Sequence, residues 1–242
     1  MNNLSMPPAH LRDTLSRLAY FRGWDAGVLS RLAMGASQFG VSKDMPVLVR
    51  GDVPEHLYLV VSGQVRLFIP LSNGMERIVS LVMPGEGFGE VALLLSASLP
   101  YGVAACRDSH LIRINARTYL AELSGAPALL EQTLKLVAKQ HQATLQDMEI
   151  CSQPSSLLRV VRFLMNHKPC AEVDDGYEIT LPGRKRDIAA KLGLTQETFS
   201  RMLSFLGQQG VIAMQGGAIR IGDGSKLRLM DASICAKEMQ RA

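Results

Sequence analysis

From Ser42 to Ile114 the sequence is cut into short runs of β-branched and aliphatic residues, each closed by a glycine turn. The runs are Val47-Leu-Val, Leu57-Tyr-Leu-Val-Val, Val65-Arg-Leu-Phe-Ile and Arg77-Ile-Val-Ser-Leu-Val. The turns are Arg50-Gly-Asp, Ser62-Gly, Ser72-Asn-Gly and Pro84-Gly. Runs this short cannot become core helices, and their regular spacing predicts an antiparallel barrel or sandwich. Before them, residues 11–37 mix Leu, Ala and polar residues at helical spacing.

A different texture follows. After Pro127 the chain reads ALLEQTLKLVAKQHQATLQDMEIC without a glycine or proline. Proline is tolerated at a helix start, where the backbone N–H has no internal partner. Leu130, Leu134, Val137, His141, Thr144, Met148 and Cys151 recur at alternating steps of four and three. That period keeps one stripe on a partner helix, so residues 130–148 are expected to form a dimer seam. Packing within its own domain is the other reading of this helix. Ser152-Gln-Pro-Ser-Ser then breaks it, with Pro154 as a hinge.

No apolar run approaches the roughly 18 residues a bilayer span needs, and MNNLSMPPAHLRDTL lacks the basic-then-apolar pattern of a secretory signal. The cytoplasm is the expected location, with no membrane partner. Cys106, Cys151, Cys170 and Cys235 are widely and irregularly spaced, which gives no metal or dithiol motif. No nucleophile–base set or phosphate loop is visible either, so an enzyme is not expected.

The net charge of +4 is unevenly placed. Residues 1–154 carry 13 Lys/Arg and 13 Asp/Glu, whereas residues 155–242 carry 13 and 9, so the second part holds the whole excess. A basic part on a neutral one suits a polyanionic partner. Within it, Leu157–Asn166 reads as an amphipathic helix and 169–182 as loop or hairpin. A helix begins at Asp187, turns sharply at Gly193, and restarts after Thr195, a good N-cap. Phe199, Met202, Leu203 and Leu206 are its expected buried face. Gln196, Glu197, Ser200 and Arg201 are left on the other, where such side chains reach base edges in a major groove. Glu197 and Arg201, four apart, are expected to pair. Gln215-Gly-Gly between apolar runs predicts a hairpin, and Arg220 beside it is either a phosphate contact or a solvated charge.

The segment Ile188–Arg201, IAAKLGLTQETFSR, resembles the helix-turn-helix of the cyclic-AMP receptor and fumarate-nitrate reduction regulator family, and the resemblance extends over nearly the whole chain. It implies a homodimer on double-stranded DNA, with RNA polymerase as a further partner of an activator. The spacing E-x-x-S-R, here Glu197, Ser200 and Arg201, is similar to the fumarate-nitrate branch and implies TTGA-like palindromes. Lys185 and Thr195 match phosphate-contacting positions. Gln196 stands where the cyclic-AMP branch often has a base-reading Arg, a departure from that branch's sequence preference.

Arg50-Gly-Asp, Tyr58–Val65 and Pro84–Leu93 resemble the family's cyclic-nucleotide-binding β-roll, in which the residues matching Gly89 and Glu90 cradle ribose and phosphate. The resemblance makes Gly89, Glu90, Val91, Tyr101 and Thr144 the effector-pocket candidates. Nucleotide-binding relatives carry an Arg about a dozen residues after the cradle. Here Leu99-Pro-Tyr-Gly has no cation, and burying a phosphate without one is costly. Cyclic AMP is therefore disfavoured. An iron-sulfur cluster is disfavoured because the N-terminus lacks clustered cysteines. Haem, with His10 and His141 as candidate ligands, stays open, beside a polar seam role for His141. The effector itself is unknown.

The expected fold class is α+β: a cyclic-nucleotide-binding-like β-roll (jelly roll) with an N-terminal helix over 1–115, a dimerisation helix and hinge over 116–153, and a winged helix-turn-helix over 154–242. The expected function is sequence-specific transcription regulation under a signal sensed in the roll or dimer helix. A ligand-independent or haem- and nitric-oxide-responsive member of the same fold is the alternative. A cyclic-nucleotide regulatory module of an enzyme or channel would explain the roll but not the helix-turn-helix.

Overall fold

The computed structural model describes the chain apart from residues 1, 5–6, 73, 168, 170, 174–175, 216–217 and 240–242, and apart from the side chains of 2–4, 171–173 and 235–239. The turn at Asn73, Cys170, the side chain of Cys235 and the glycine pair of the C-terminal hairpin lie outside the described residues. The chain divides into two compact units, 1–142 and 143–242. No described helix is long and apolar enough to cross a membrane.

The first unit opens with β1 (Asn2–Leu4), α1 (Pro8–Arg17), a 3₁₀ turn (Ala19–Phe21) and α2 (Ala26–Met34). Then come β2 (Ala36–Val41), β3 (Pro46–Leu48), β4 (His56–Pro70), β5 (Glu76–Val82), β6 (Gly87–Phe88), α3 (Glu90–Leu95), β7 (Gly102–Asn115) and α4 (Ala116–Gly125). All pairings are antiparallel, in the order β1-β2-β7-β4-β5, with β3 on β7 and β6 on β4. The expected barrel-like roll is present, but the Ser62-Gly signal does not end a strand: the Leu57 and Val65 runs form one 15-residue strand, β4, whose pairing with β7 shifts register around Gly63.

Strand alternation divides the core in two. Tyr58, Val60 and Leu111 join Phe39, Val65 and Phe88 inside the roll. Leu57, Leu59, Ile112 and Ile114 point the other way, into a cluster with Leu15, Phe21, Leu32 and Tyr119 from the helices. One pair of long strands thus carries both cores.

α5 (Pro127–Cys151) is a single 25-residue helix that runs through the unit boundary. Leu129, Thr133, Leu136 and Gln140 form its inner stripe, buried or half-buried. One residue on, about 100° around the helix, Leu130, Leu134 and His141 are exposed, with Val137 half-buried. The same stripe continues through exposed Thr144 and Met148. Its last position departs from the expectation: the Cys151 thiol donates to the Lys191 carbonyl at 3.3 Å, inside its own unit.

The second unit adds α6 (Ser156–Met165), β8 (Ala171–Val173), β9 (Gly176–Thr180), α7 (Lys185–Lys191), α8 (Gln196–Gln208), β10 (Ile212–Gln215), β11 (Ala218–Ile221) and α9 (Gly224–Met239). The strands form an antiparallel sheet, β10-β11-β9-β8. Val160, Val161, Phe163 and Leu164 of α6 pack with Ile188, Phe199, Leu203, Leu206 and Ile219.

Gly63 shows how tightly β4 and β7 are joined. Its φ is +89°, and a Cβ there would lie 2.2 Å from Ser109 Oγ and 2.5 Å from the Asp108 carbonyl. The pairing shifts register on both sides of it. Replacing Gly63 with Ala therefore adds left-handed strain to a backbone clash, and should cost about 3 kcal/mol of stability in urea melts. A loss under about 0.5 kcal/mol, the range of an ordinary surface change, would contradict this account of the strand junction.

Candidate nucleic-acid interface

α7 starts at Lys185, two residues before the expected start, because Arg184 already adopts the extended N-cap conformation. Asp187 is buried in its first turn and takes both neighbouring arginines: Arg184 Nε lies 2.9 Å from Oδ2 and Arg186 Nε 3.4 Å from Oδ1. Lys185 is left exposed beside this arrangement. The sequence shows the charges; only the fold shows that Asp187 is the buried one.

The turn into α8 is closed by backbone. Gly193 takes φ +66°, Leu194 N–H donates to the Ala189 carbonyl at 2.8 Å, and Gly193 N–H to that of Ala190 at 3.3 Å. Two side chains outside the turn take the next three carbonyls: Cys151 that of Lys191, and Arg159 Nη1 those of Leu192 at 3.3 Å and Gly193 at 3.4 Å. Lys191 Nζ also pairs with Asp147 at 2.9 Å. Arg159 carries no motif signal, since its role depends on where α6 crosses the turn.

Thr195 caps α8, its Oγ1 accepting from Thr198 N–H at 3.2 Å. Phe199, Leu203 and Leu206 are buried on one side, and Met202 is half-buried against the same core. On the opposite side Thr195, Gln196, Glu197 and Arg201 are exposed and Ser200 is half-buried. The helix thus gathers these predicted contacts on one face, with Lys185 exposed on α7. The expected Glu197–Arg201 pair does not form: Arg201 Nη2 instead donates to Thr198 Oγ1 at 3.3 Å. Thr198 was not among the predicted contacts, although its place three residues after the cap is a position that capping geometry marks. Behind α8, β10 and β11 pair from Ile212↔Ile221 to Gln215↔Ala218. Arg220 is half-buried there.

In the first unit, Gly89 has φ +96° and precedes α3. Glu90 is only 3% exposed, and its Oε2 has no hydrogen-bond partner. Burial pushes its carboxyl above the ordinary value; its own N–H and Gln140 of α5 oppose the shift. Tyr101 is half-buried nearby. Burial and the Glu90 charge push its hydroxyl up to about 12, although Gly89 N–H donates to it. No cation contributes to either shift. Arg107 donates to Gln64 Oε1 at 3.1 Å. Gly89, Glu90 and Tyr101 are thus brought together, while Val91 is exposed on α3 and Thr144 is exposed on α5 in the other unit. His10 on α1 and His141 on α5 are both exposed. Burial, with a smaller contribution from the Glu90 charge, also pushes up the hydroxyls of Tyr20 and Tyr119, which lie 2.8 Å apart; they were not predicted, because α4 and the 3₁₀ turn meet only in the fold.

Comparison with known proteins matches both regions. Residues 41–124 match the family described as Cyclic nucleotide-binding domain, and residues 158–230 the Crp-like helix-turn-helix domain. The chain is 30% identical over 169 residues to the nitrogen fixation regulation protein FixK of Rhizobium meliloti, an overlap of 70% of this chain and 74% of the relative. It is 29% identical over 182 residues to the Cyclic AMP receptor protein of Thermus thermophilus, covering 75% and 82%. The structure of FixK2 from Bradyrhizobium japonicum is similar with a TM-score of 0.69 at 26% identity, covering 81% of this chain and 97% of that one.

Because burial raises the Glu90 carboxyl above its ordinary 4.5, the folded state holds that proton more tightly than the unfolded chain. The resulting stability is fully present below about pH 4.5 and is lost as pH rises through the folded value. Glu90→Gln should flatten the fall in stability above that point and make the protein more stable at about pH 8 than the wild type in urea melts. Parallel pH profiles for the two proteins would refute the assignment.

Proposed function

The chain belongs to the cyclic-AMP receptor and fumarate-nitrate regulator family of DNA-binding transcription regulators, and on that premise we propose that it works in the cytoplasm as a homodimer reading TTGA-like palindromes. The observation that carries this reading is the exposed polar face of α8, opposite a fully buried Phe199, Leu203 and Leu206. Arg201 is the guanine reader, because guanidinium offers paired donors to guanine O6 and N7. Glu197 suits a cytosine amine, and Gln196 and Ser200 complete the reading face. Exposed Lys185 and Thr195 hold phosphates, which position the helix without selecting sequence.

The exposed stripe of α5 supplies the pair. Leu134 is 65% exposed and Met148 61%, and large apolar groups repeating at coiled-coil spacing are best covered by a second copy. In this reading 1–115 senses, 116–153 pairs and hinges, and 154–242 binds DNA. RNA polymerase is the further partner wherever the bound dimer activates. A signal works by favouring one of two dimer arrangements.

The effector of this reading is not a cyclic phosphate. Glu90 would face it as a buried carboxylate, no cation contributes there, and the Tyr101 hydroxyl already takes the Gly89 N–H. An uncompensated anion pair in a dry site is strongly unfavourable. The signal is then something other than a cyclic phosphate, with haem through His10 or His141 as the form to test, or absent. Adding cyclic AMP should leave DNA affinity unchanged in fluorescence anisotropy, while haem titration is read by visible absorption.

Two substitutions test the main reading. Arg201→Ala should reduce discrimination between a TTGA palindrome and a scrambled duplex by about tenfold or more, the worth of one bidentate base contact, with the melting midpoint unchanged. An unchanged discrimination ratio would count against Arg201 as reader. Leu134→Glu should shift sedimentation from dimer to monomer and weaken palindrome binding. Persistence of the wild-type dimer would remove the α5 seam from the account.

A further inference from the structure

The start of α8 contains a short hydrogen-bond chain. Arg201 Nη2 lies 3.3 Å from Thr198 Oγ1, Thr198 Oγ1 lies 3.0 Å from Thr195 Oγ1, and Thr198 N–H donates to Thr195 Oγ1 at 3.2 Å. Guanidinium only donates, whereas a hydroxyl has one hydrogen and two lone pairs. Thr198 Oγ1 therefore accepts from Arg201. The two threonine hydroxyls share one further hydrogen, which either oxygen can donate. Arg201, Thr198 and the Thr195 cap are thus joined in one chain. Thr195 and Arg201 are exposed and Thr198 is half-buried between them.

We infer that Thr198 is a positioning residue of the DNA-reading face: its hydroxyl, tied to the Thr195 cap, accepts from the Arg201 guanidinium and orients it. The inference rests on the function proposed above. It adds a residue that touches no base in this account and acts through Arg201, which does. It also explains why Arg201 is not paired with Glu197. With its guanidinium held toward the cap, Arg201 leaves the Glu197 carboxylate available as a separate acceptor. A serine in place of Thr198 would keep the chain; a valine would keep the shape and break it.

The test uses the full-length protein and two duplexes of equal composition, a TTGA palindrome and its scramble, compared by anisotropy at fixed salt. Thr198→Val should weaken palindrome binding about fivefold, the worth of one side-chain hydrogen bond, and change binding to the scramble less. Thr198→Ser should restore the wild-type ratio. In an Arg201→Ala background, Thr198→Val should cost no further discrimination, since residues acting through one another are not additive. Circular dichroism and the melting midpoint report folding, and Thr198→Ala replaces the valine variant if that one does not fold. Discrimination by the wild type with an unchanged ratio in Thr198→Val, or an equal further loss on top of Arg201→Ala, overturns the inference alone. A wild type that binds both duplexes alike overturns the reading of α8 and this inference with it.

Discussion

The angle between α7 and α8 depends on the disposal of six consecutive carbonyls. A helix end leaves carbonyls without internal partners, and a sharp turn into a second helix removes much of the water that would otherwise serve them. Here the carbonyls from Ile188 to Gly193 are each taken: by Leu192, Leu194 and Gly193 N–H groups, by the Cys151 thiol, and by Arg159. Local sequence closes the first three bonds and distant sequence the last three. The last three carbonyls of the turn are satisfied only with α5 and α6 in place, and the exposed polar face of α8 takes its direction from that turn.

That dependence links the helix carrying the exposed apolar stripe to the exposed polar face of α8. The final turns of α5 bear Asp147, bonded to Lys191, and Cys151, bonded to the Lys191 carbonyl. A rotation of α5 would strain those contacts before it reached α8. In the first unit the inner stripe of the same helix contributes Gln140, which bonds Glu90, and Leu129, which joins the helical core. Within the first unit this stretch of α5 therefore has one side buried and another exposed. A signal that alters the buried Glu90 group has a physical route to α5, because Gln140 touches it directly.

Much of this was legible in the chain itself. Extended runs and glycine turns pointed to the roll, although Ser62-Gly, read as a turn, lies inside the long strand β4, and the α8 pattern defined its own buried and exposed sides. The breaker-free stretch after Pro127 gave the helix and its stripe. Less legible were contacts made across long sequence separations. Nothing near Arg159 announces that it will cap the α7 turn, and nothing in the order of charges says that Asp187, not Lys185, is buried. The Glu197–Arg201 expectation failed because i,i+4 spacing permits a pair without requiring it; the Thr198 hydroxyl, one turn from Arg201, competes for the same guanidinium. The second stripe of α5, one residue out of phase with the first, becomes distinguishable only when the roll covers it.

The central claim is that two copies of the α8 face enter successive major grooves of one duplex. Hydroxyl-radical footprinting with methylation interference on a TTGA palindrome measures this most directly. The account predicts two protected half-sites centred about 34 Å apart, one helical turn, with interference at the guanine of each. A single protected patch, or protection with no guanine interference, would contradict it.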